Sequence, residues 1–323
     1  MNITVSVTFL AVIKLFLISL GGYLLVRLKV FSKDGVNELA KMVLYLTVPT
    51  LLFTKVFASF TPSLLLKLGV IPLGTLALVI LAGALGFLGL WLLPISEKDR
   101  GPFLAMMIFG NTGYIPIPLV MSILPEEQAS QAVFYISLFL LAFSPLLWTL
   151  GVYLIGHRKT EKMPLSRFVS PPVVGILLGI LCASIPPLRF FLRHQGAFLV
   201  ESCNMLGTAT VPLAMILIGG AIASLEPGRI FNWPVMGGLI ALRMLLFPAL
   251  VIFLLSLVPL PAMIRFIIAL EAMVPPATNL IIIAKTYDSP GDLLSMSLFV
   301  TYLLSIITIP LFLLVTTNLF PLG

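Results

Sequence analysis

The chain has 323 residues, 60% of them apolar and only 10% charged, with a mean hydropathy of +1.17. Soluble domains carry about 25% charged residues, so this chain lacks the polar surface to face water and reads as an all-α integral membrane protein. Its net charge of +7 is therefore no sign of nucleic-acid binding; it is loop charge, which sets orientation in a bilayer.

Apolar runs of spanning length, about 20 residues, predict ten spans at 5–28, 36–58, 63–93, 102–123, 129–156, 169–188, 198–223, 232–258, 263–286 and 292–319. The first has no basic leader and reads as a span, not a cleavable signal. The second holds Thr47-Val48-Pro49, with Lys55 near its end, where snorkelling is expected. The third has no Asp or Lys well inside it; Lys67 stands only at its start. The fourth is interrupted by GNTGYIPIP, Gly110 to Pro118. After the fifth comes the one loop that is hydrophilic over its length, HRKTEKMPLSR, 157–167. Pro186-Pro187 closes the sixth. Cys182 and Cys203 are too few, and too apolar in setting, for a disulfide framework or a cysteine metal site. The seventh span repeats the triplet as Thr210-Val211-Pro212, the eighth holds Arg243, and the ninth is interrupted by EAMVPPATN, Glu271 to Asn279. Pro49 and Pro212 read as helix kinks. His157 and His194 fall in loops and read as solvated surface.

Ten spans put both termini on one side. With both outside, the cytoplasmic loops hold Arg27, Lys29, Lys33, Lys98, Arg100, Arg158, Lys159, Lys162, Arg167 and Arg229, against Lys67, Arg189, Arg193 and Arg265 outside. The excess of basic residues inside favours non-cytoplasmic termini. The hydrophilic loop divides the chain into a first five-span repeat, 1–156, a cytoplasmic linker, 157–168, and a second repeat, 169–323. At an offset of 163 residues the two TVP triplets coincide, as do Glu38 with Glu201, Gly74 with Gly237 and Phe103 with Phe266. An odd number of spans per half turns the second half upside down. Such inverted repeats are a common plan of secondary transporters, whose sites lie at midplane on interrupted helices.

Two prolines in each interrupted segment remove backbone donors and clash with the preceding turn. Unpaired backbone cannot face lipid, so the breaks must be buried or line a cavity. If the segments cross, the helix N-termini after each break suit a carboxylate. Asn111, Thr112, Gly113, Tyr114 and Pro116 from span 4, with Pro275, Pro276, Thr278 and Asn279 from span 9, are the candidate substrate-binding residues. Glu271 lies one turn before Pro275, and an ionisable group at that depth is a functional candidate. It either exchanges a proton or ligates a cation, with Asn111 and exposed carbonyls as further ligands. The competing reading is a hydrogen bond to a Ser or Thr, or a salt bridge to Arg243, which is itself the candidate charge partner of an anion.

The segments carry a family resemblance. GNTGYIPIPLV resembles the fourth-helix motif of the auxin efflux carrier and malate permease family. TVPLAMILIGGAIAS resembles its seventh helix, and PPATNLIIIAKTYDS with SLFVTYLLSIITIPL its last two. The resemblance implies a five-plus-five inverted repeat with crossed helices 4 and 9, akin to the bile acid–sodium symporter fold. It implies a scaffold of spans 1, 2, 6 and 7, a mobile transport domain of spans 3–5 and 8–10, and a homodimer through the scaffold. The implied substrate is a small organic anion, a mono- or dicarboxylate, with Asn111 on its carboxylate. The related symporter fold makes Na+ at Glu271 credible beside H+. Missing the long central loop of plant members, the chain fits a bacterial one in the inner membrane. The expected function is elevator-type secondary transport without a cofactor; a membrane-embedded sensor on the same fold is the alternative. No span holds an Asp pair or a mid-depth His, which argues against an intramembrane enzyme.

Overall fold

The computed structural model describes residues 5–60, 69–156, 170–224, 232–287, 289 and 292–322. The linker loop 157–168, Lys67 and Arg229 lie outside the described residues. Those described form an all-helical protein, and seven helical stretches among them are long and apolar enough to cross a bilayer: Phe9–Arg27, Asp34–Ser59, Val70–Leu92, Glu126–Ile155, Ala197–Ser224, Trp233–Leu257 and Leu293–Leu319. The three other expected segments are also helical, but each is interrupted or bent.

In chain order, α1 is Val5–Arg27, followed by α2, Lys33–Met42, and α3, Val48–Ser59, which are joined by a π-helical turn. After α4, Val70–Leu92, come α5, Glu97–Ile108, and α6, Pro116–Ile123. The next pair, α7, Glu126–Leu146, and α8, Val152–Ile155, again flank a π turn. Then α9, Pro171–Ser184, gives way to α10, Pro186–Arg193. The order continues with α11, Ala197–Thr208, and α12, Thr210–Ser224. A third π segment, Ile240–Leu246, links α13, Trp233–Leu239, to α14, Phe247–Leu257. The chain closes with α15, Ala262–Met273, α16, Asn279–Thr286, and α17, Asp292–Leu319.

Proline explains most of the irregularity. It cannot donate to the helical ladder and crowds the turn before it, and each π segment lies within a few residues of Pro49, Pro145 or Pro248. Pro212 is the third residue of α12, just after the helix has re-formed past Ala209. Pro186 and Pro187 stand in the first turn of α10, where a missing N–H costs nothing. There the chain bends by 101°, so the sixth apolar segment ends at Ser184 and not at the expected residue 188.

Two sets of helix contacts can be distinguished, bridged by an α3–α7 contact as extensive as those within the second. In the first, α1 packs on α12, α3 on α9 and α11, and α2 on α12. At α1 with α12 and at α3 with α9 and α11 the contacts bring backbones together. A Cβ at Gly22 would strike the Ile216 carbonyl, one at Gly219 the Ser19 carbonyl, one at Gly175 the Pro49 carbonyl, and one at Gly207 would come 2.8 Å from Leu51 Cα. In the second, α4 packs on α5 and α7, α5 on α8, and α15 on α14, α17, α4 and α7. Gly101 makes the same kind of contact inside this group, against the Leu154 carbonyl. Where the groups meet, as at α3 with α7 and α1 with α6 and α17, no described glycine brings two backbones together. Side chains fill that boundary. Lys55 donates across it to Ser130 Oγ at 3.3 Å.

Replacing Gly219 with Leu is expected to cost about 3 kcal/mol or more, because the facing backbone cannot yield. Gly237, with nothing within 4 Å of its would-be Cβ, is the control: Ala there should gain about 0.5–1 kcal/mol of helix propensity. Thermal unfolding of the purified protein in detergent measures both.

Candidate functional site

Helix α5 stops at Ile108 and α6 starts at Pro116; α15 stops at Met273 and α16 starts at Asn279. The two gaps lie side by side, running antiparallel at a Gly110–Pro276 bridge. Asn111 N–H donates to the Pro275 carbonyl at 2.8 Å, and Ala277 N–H donates to the Phe109 carbonyl at 2.9 Å. Each break thus satisfies backbone groups of the other, as buried backbone requires. Pro116, Pro275 and Pro276 are buried here, and Gly113, Tyr114, Thr278 and Asn279 are half-buried around them.

Asn111, 4% exposed, uses both ends of its amide. Its Oδ1 accepts from Tyr114 N–H at 3.1 Å, and its Nδ2 donates to the Tyr302 hydroxyl. Thr278 lies close to that hydroxyl, so three elements meet at one polar point. Neither α6 nor α16 has a side-chain cap at its N-terminus. The donors expected at the start of α6 are sparse, however: Pro116 and Pro118 have no N–H, and Leu119 N–H is already bonded to the Ile115 carbonyl. Neutral side chains and the helix dipole therefore supply more of the polarity there than free amides do.

Two cavities flank this point and share no lining residue. The larger, about 340 Å³, is an apolar cleft at the boundary between the two helix groups. Val12, Leu15, Phe16 and Ser19 of α1 and Met215 and Ile218 of α12 line one side, with Ile115, Leu119, Tyr302 and Ile309 on the other. Its side-chain hydroxyls are already engaged, Ser19 with the Leu15 carbonyl and Tyr302 with Asn111. The smaller, about 220 Å³, lies within the second group and is lined by Gly110, Thr112, Arg243 and Glu271 among apolar neighbours.

Glu271 is 2% exposed, and neither of its carboxylate oxygens has a hydrogen-bond partner. Arg243, equally buried, does not form the salt bridge that was the competing expectation. Its Nη2 donates instead to the Val274 carbonyl at 3.2 Å, and its guanidinium lies 4.7 Å from the Phe247 ring centre. Glu271 and Asn111, expected to share a ligand, are hydrogen-bonded neither to each other nor to a common group, and Thr112 faces the Glu271 cavity. Among the described residues no cluster of His, Cys, Asp or Glu surrounds Glu271. The sequence reading missed Tyr302, although a tyrosine in mid-span of the apolar tenth segment was a usable signal.

Comparison with known proteins gives the family. The family model described as "Membrane transport protein" matches residues 7–164 and 156–313. An uncharacterized transporter of Methanocaldococcus jannaschii is 24% identical over 90% of this chain and 93% of its own length. One from Methanothermobacter thermautotrophicus is 24% identical over 93% and 95%. Protein PIN-LIKES 1 of Arabidopsis thaliana is 23% identical over 92% of this chain and 76% of its own. With the family model covering nearly its whole length, the chain belongs to the membrane transport protein family of auxin efflux carriers and PIN-like transporters.

Proposed function

We propose that the protein is a secondary active transporter of a small organic anion, bound at the crossing of the two interrupted helices and moved by an elevator-type mechanism. The observation that carries this reading is the pairing of the two breaks through Asn111, Pro275, Phe109 and Ala277. It holds polar backbone, two uncapped helix N-termini and the Asn111–Tyr302–Thr278 cluster together in otherwise apolar surroundings. A carboxylate suits that setting, because helix N-termini and neutral donors favour a negative group.

The division of the helices supports the motion. Spans 1, 2, 6 and 7 form the scaffold, with its glycine-mediated backbone contacts, and spans 3–5 and 8–10 form the transport domain. A boundary filled by side chains can slide, whereas one where helix backbones lock together cannot. This reading takes all ten segments as crossing the inner membrane of a bacterial-type cell, in two inverted repeats of 1–156 and 169–323, with both termini outside and a dimer through the scaffold. Glu271 is the coupling group.

The cleft narrows the substrate. It lies on the scaffold–transport boundary, meets the crossing at Ile115 and Tyr302, and is apolar apart from its engaged hydroxyls. A single carboxylate at Asn111 leaves the apolar body of the anion in this cleft. A malate-like dicarboxylate would bury its second charge there without a partner, which is strongly unfavourable. Monocarboxylates with an apolar body are therefore the favoured class over dicarboxylates.

Thermal stabilisation of the purified protein by benzoate, phenylacetate and octanoate should exceed that by malate at equal concentration. Asn111→Ala should weaken the monocarboxylate effect about tenfold or more, the loss of one hydrogen bond to a charged group. A folded Asn111→Ala protein that binds as well as wild type would sink the site assignment. Tyr302→Phe leaves the buried Asn111 amide short of its acceptor and should lower stability by about 1–2 kcal/mol, read by the same unfolding assay without ligand.

A further inference from the structure

The residues around Glu271 do not suit a bound sodium ion. Hard cations are held by several oxygen ligands, carboxylates and carbonyls above all. The two oxygens of Glu271 are free for such a role, whereas the acceptors of the crossing each already take one hydrogen bond. The Val274 carbonyl accepts from Arg243, the Pro275 carbonyl from Asn111, the Phe109 carbonyl from Ala277, the Gly110 carbonyl from Thr112 and Asn111 Oδ1 from Tyr114. More decisively, a positive charge is already present. The guanidinium of Arg243 shares the cavity with Glu271 and holds the buried Val274 carbonyl just past the C-terminus of α15, the negative end of that helix.

The chain is shaped to admit it. Arg243 lies in the π-helical segment Ile240–Leu246, the kind of local unwinding that often re-aims a side chain at functional sites. Gly110 leaves the space: a Cβ there would collide with Arg243 Nη2. The glycine that opens GNTGYIPIP thus makes room for the guanidinium beside the crossing. We propose that Arg243 is a tethered cation standing where a coupling metal ion would have to bind, and that Glu271 therefore couples transport to protons and not to sodium. In each cycle the carboxylate takes up one proton from one side of the membrane and releases it to the other, while the guanidinium keeps the site's fixed positive charge.

The transport half of this proposal rests on the crossing being the anion site; the ion preference does not. The other ionisable groups on the elements packed against α15 are few. Helices α4 and α14 carry none, α7 has Glu126 and Glu127 at its exposed start and Tyr135 farther along, and α17 has Asp292 at its first residue and Tyr302, which is engaged with Asn111. Arg243 is the charged group that shares Glu271's cavity.

The test is the melting temperature of the full-length protein in detergent, in sodium chloride and in choline chloride at matched ionic strength. Wild type and Arg243→Lys should be indifferent to the choice. Arg243→Ala removes the cation from the Glu271 cavity and should become sodium-responsive, with a shift of about 2–4 °C. Millimolar methylguanidinium should abolish that response, and so should adding Glu271→Gln. Sodium-specific stabilisation of wild type would overturn the proposal, and so would a folded Arg243→Ala protein blind to sodium. Should Arg243→Ala fail to fold, the wild-type and Arg243→Lys comparisons still decide. For the proton half, the pH dependence of wild-type stability should flatten in Glu271→Gln; an equally steep dependence in that variant would overturn it. None of these readouts needs a transported solute, so loss of the Asn111 assignment would be recognised separately.

Discussion

The structure turns on one constraint: a backbone amide or carbonyl left unpaired in an apolar slab costs several kcal/mol. Two helices of this chain are interrupted, at 109–115 and 274–278, and each interruption satisfies backbone groups of the other. Asn111 with Pro275, and Ala277 with Phe109, close the exchange. The crossing is the point around which the second helix group is organised.

From that point the polar chemistry divides. One branch runs through the Asn111 amide to Tyr302 and Thr278 and borders the apolar cleft; the other runs through Gly110 and Val274 to Arg243 and the cavity of Glu271. The branches meet in the crossing strands. The helix that carries Glu271 also packs directly on α17, which carries Tyr302 of the cleft. The packing follows the same division. Glycine lets backbones lock within each helix group, while the boundary holding the cleft is left to side chains.

Much of this was legible in the residues. Helix limits follow from apolar run length and proline placement, and Asn111, Glu271 and Arg243 stood out because polar groups are rare in a chain 60% apolar. Other features were not legible. The sixth segment ends early because α10 turns away by 101°, and nothing in its composition distinguishes a bent continuation from a straight one. Arg243 and Glu271 were natural salt-bridge partners on charge alone. In the fold a carbonyl at the end of α15 takes the guanidinium instead. Tyr302 was passed over because an aromatic residue in an apolar helix is usually packing.

The sequence alone determined the class of protein, the position of its helices and the location of the two breaks. Those depend on local quantities: hydrophobicity summed over a span, and the missing donor of each proline. The tertiary structure decided which groups pair. Hydrogen bonds act over about 3 Å, and residues as far apart in the chain as Asn111 and Tyr302 come within that distance only when the helices have packed. The partners of Asn111, the diversion of Arg243 and the unpaired state of Glu271 follow from that packing alone.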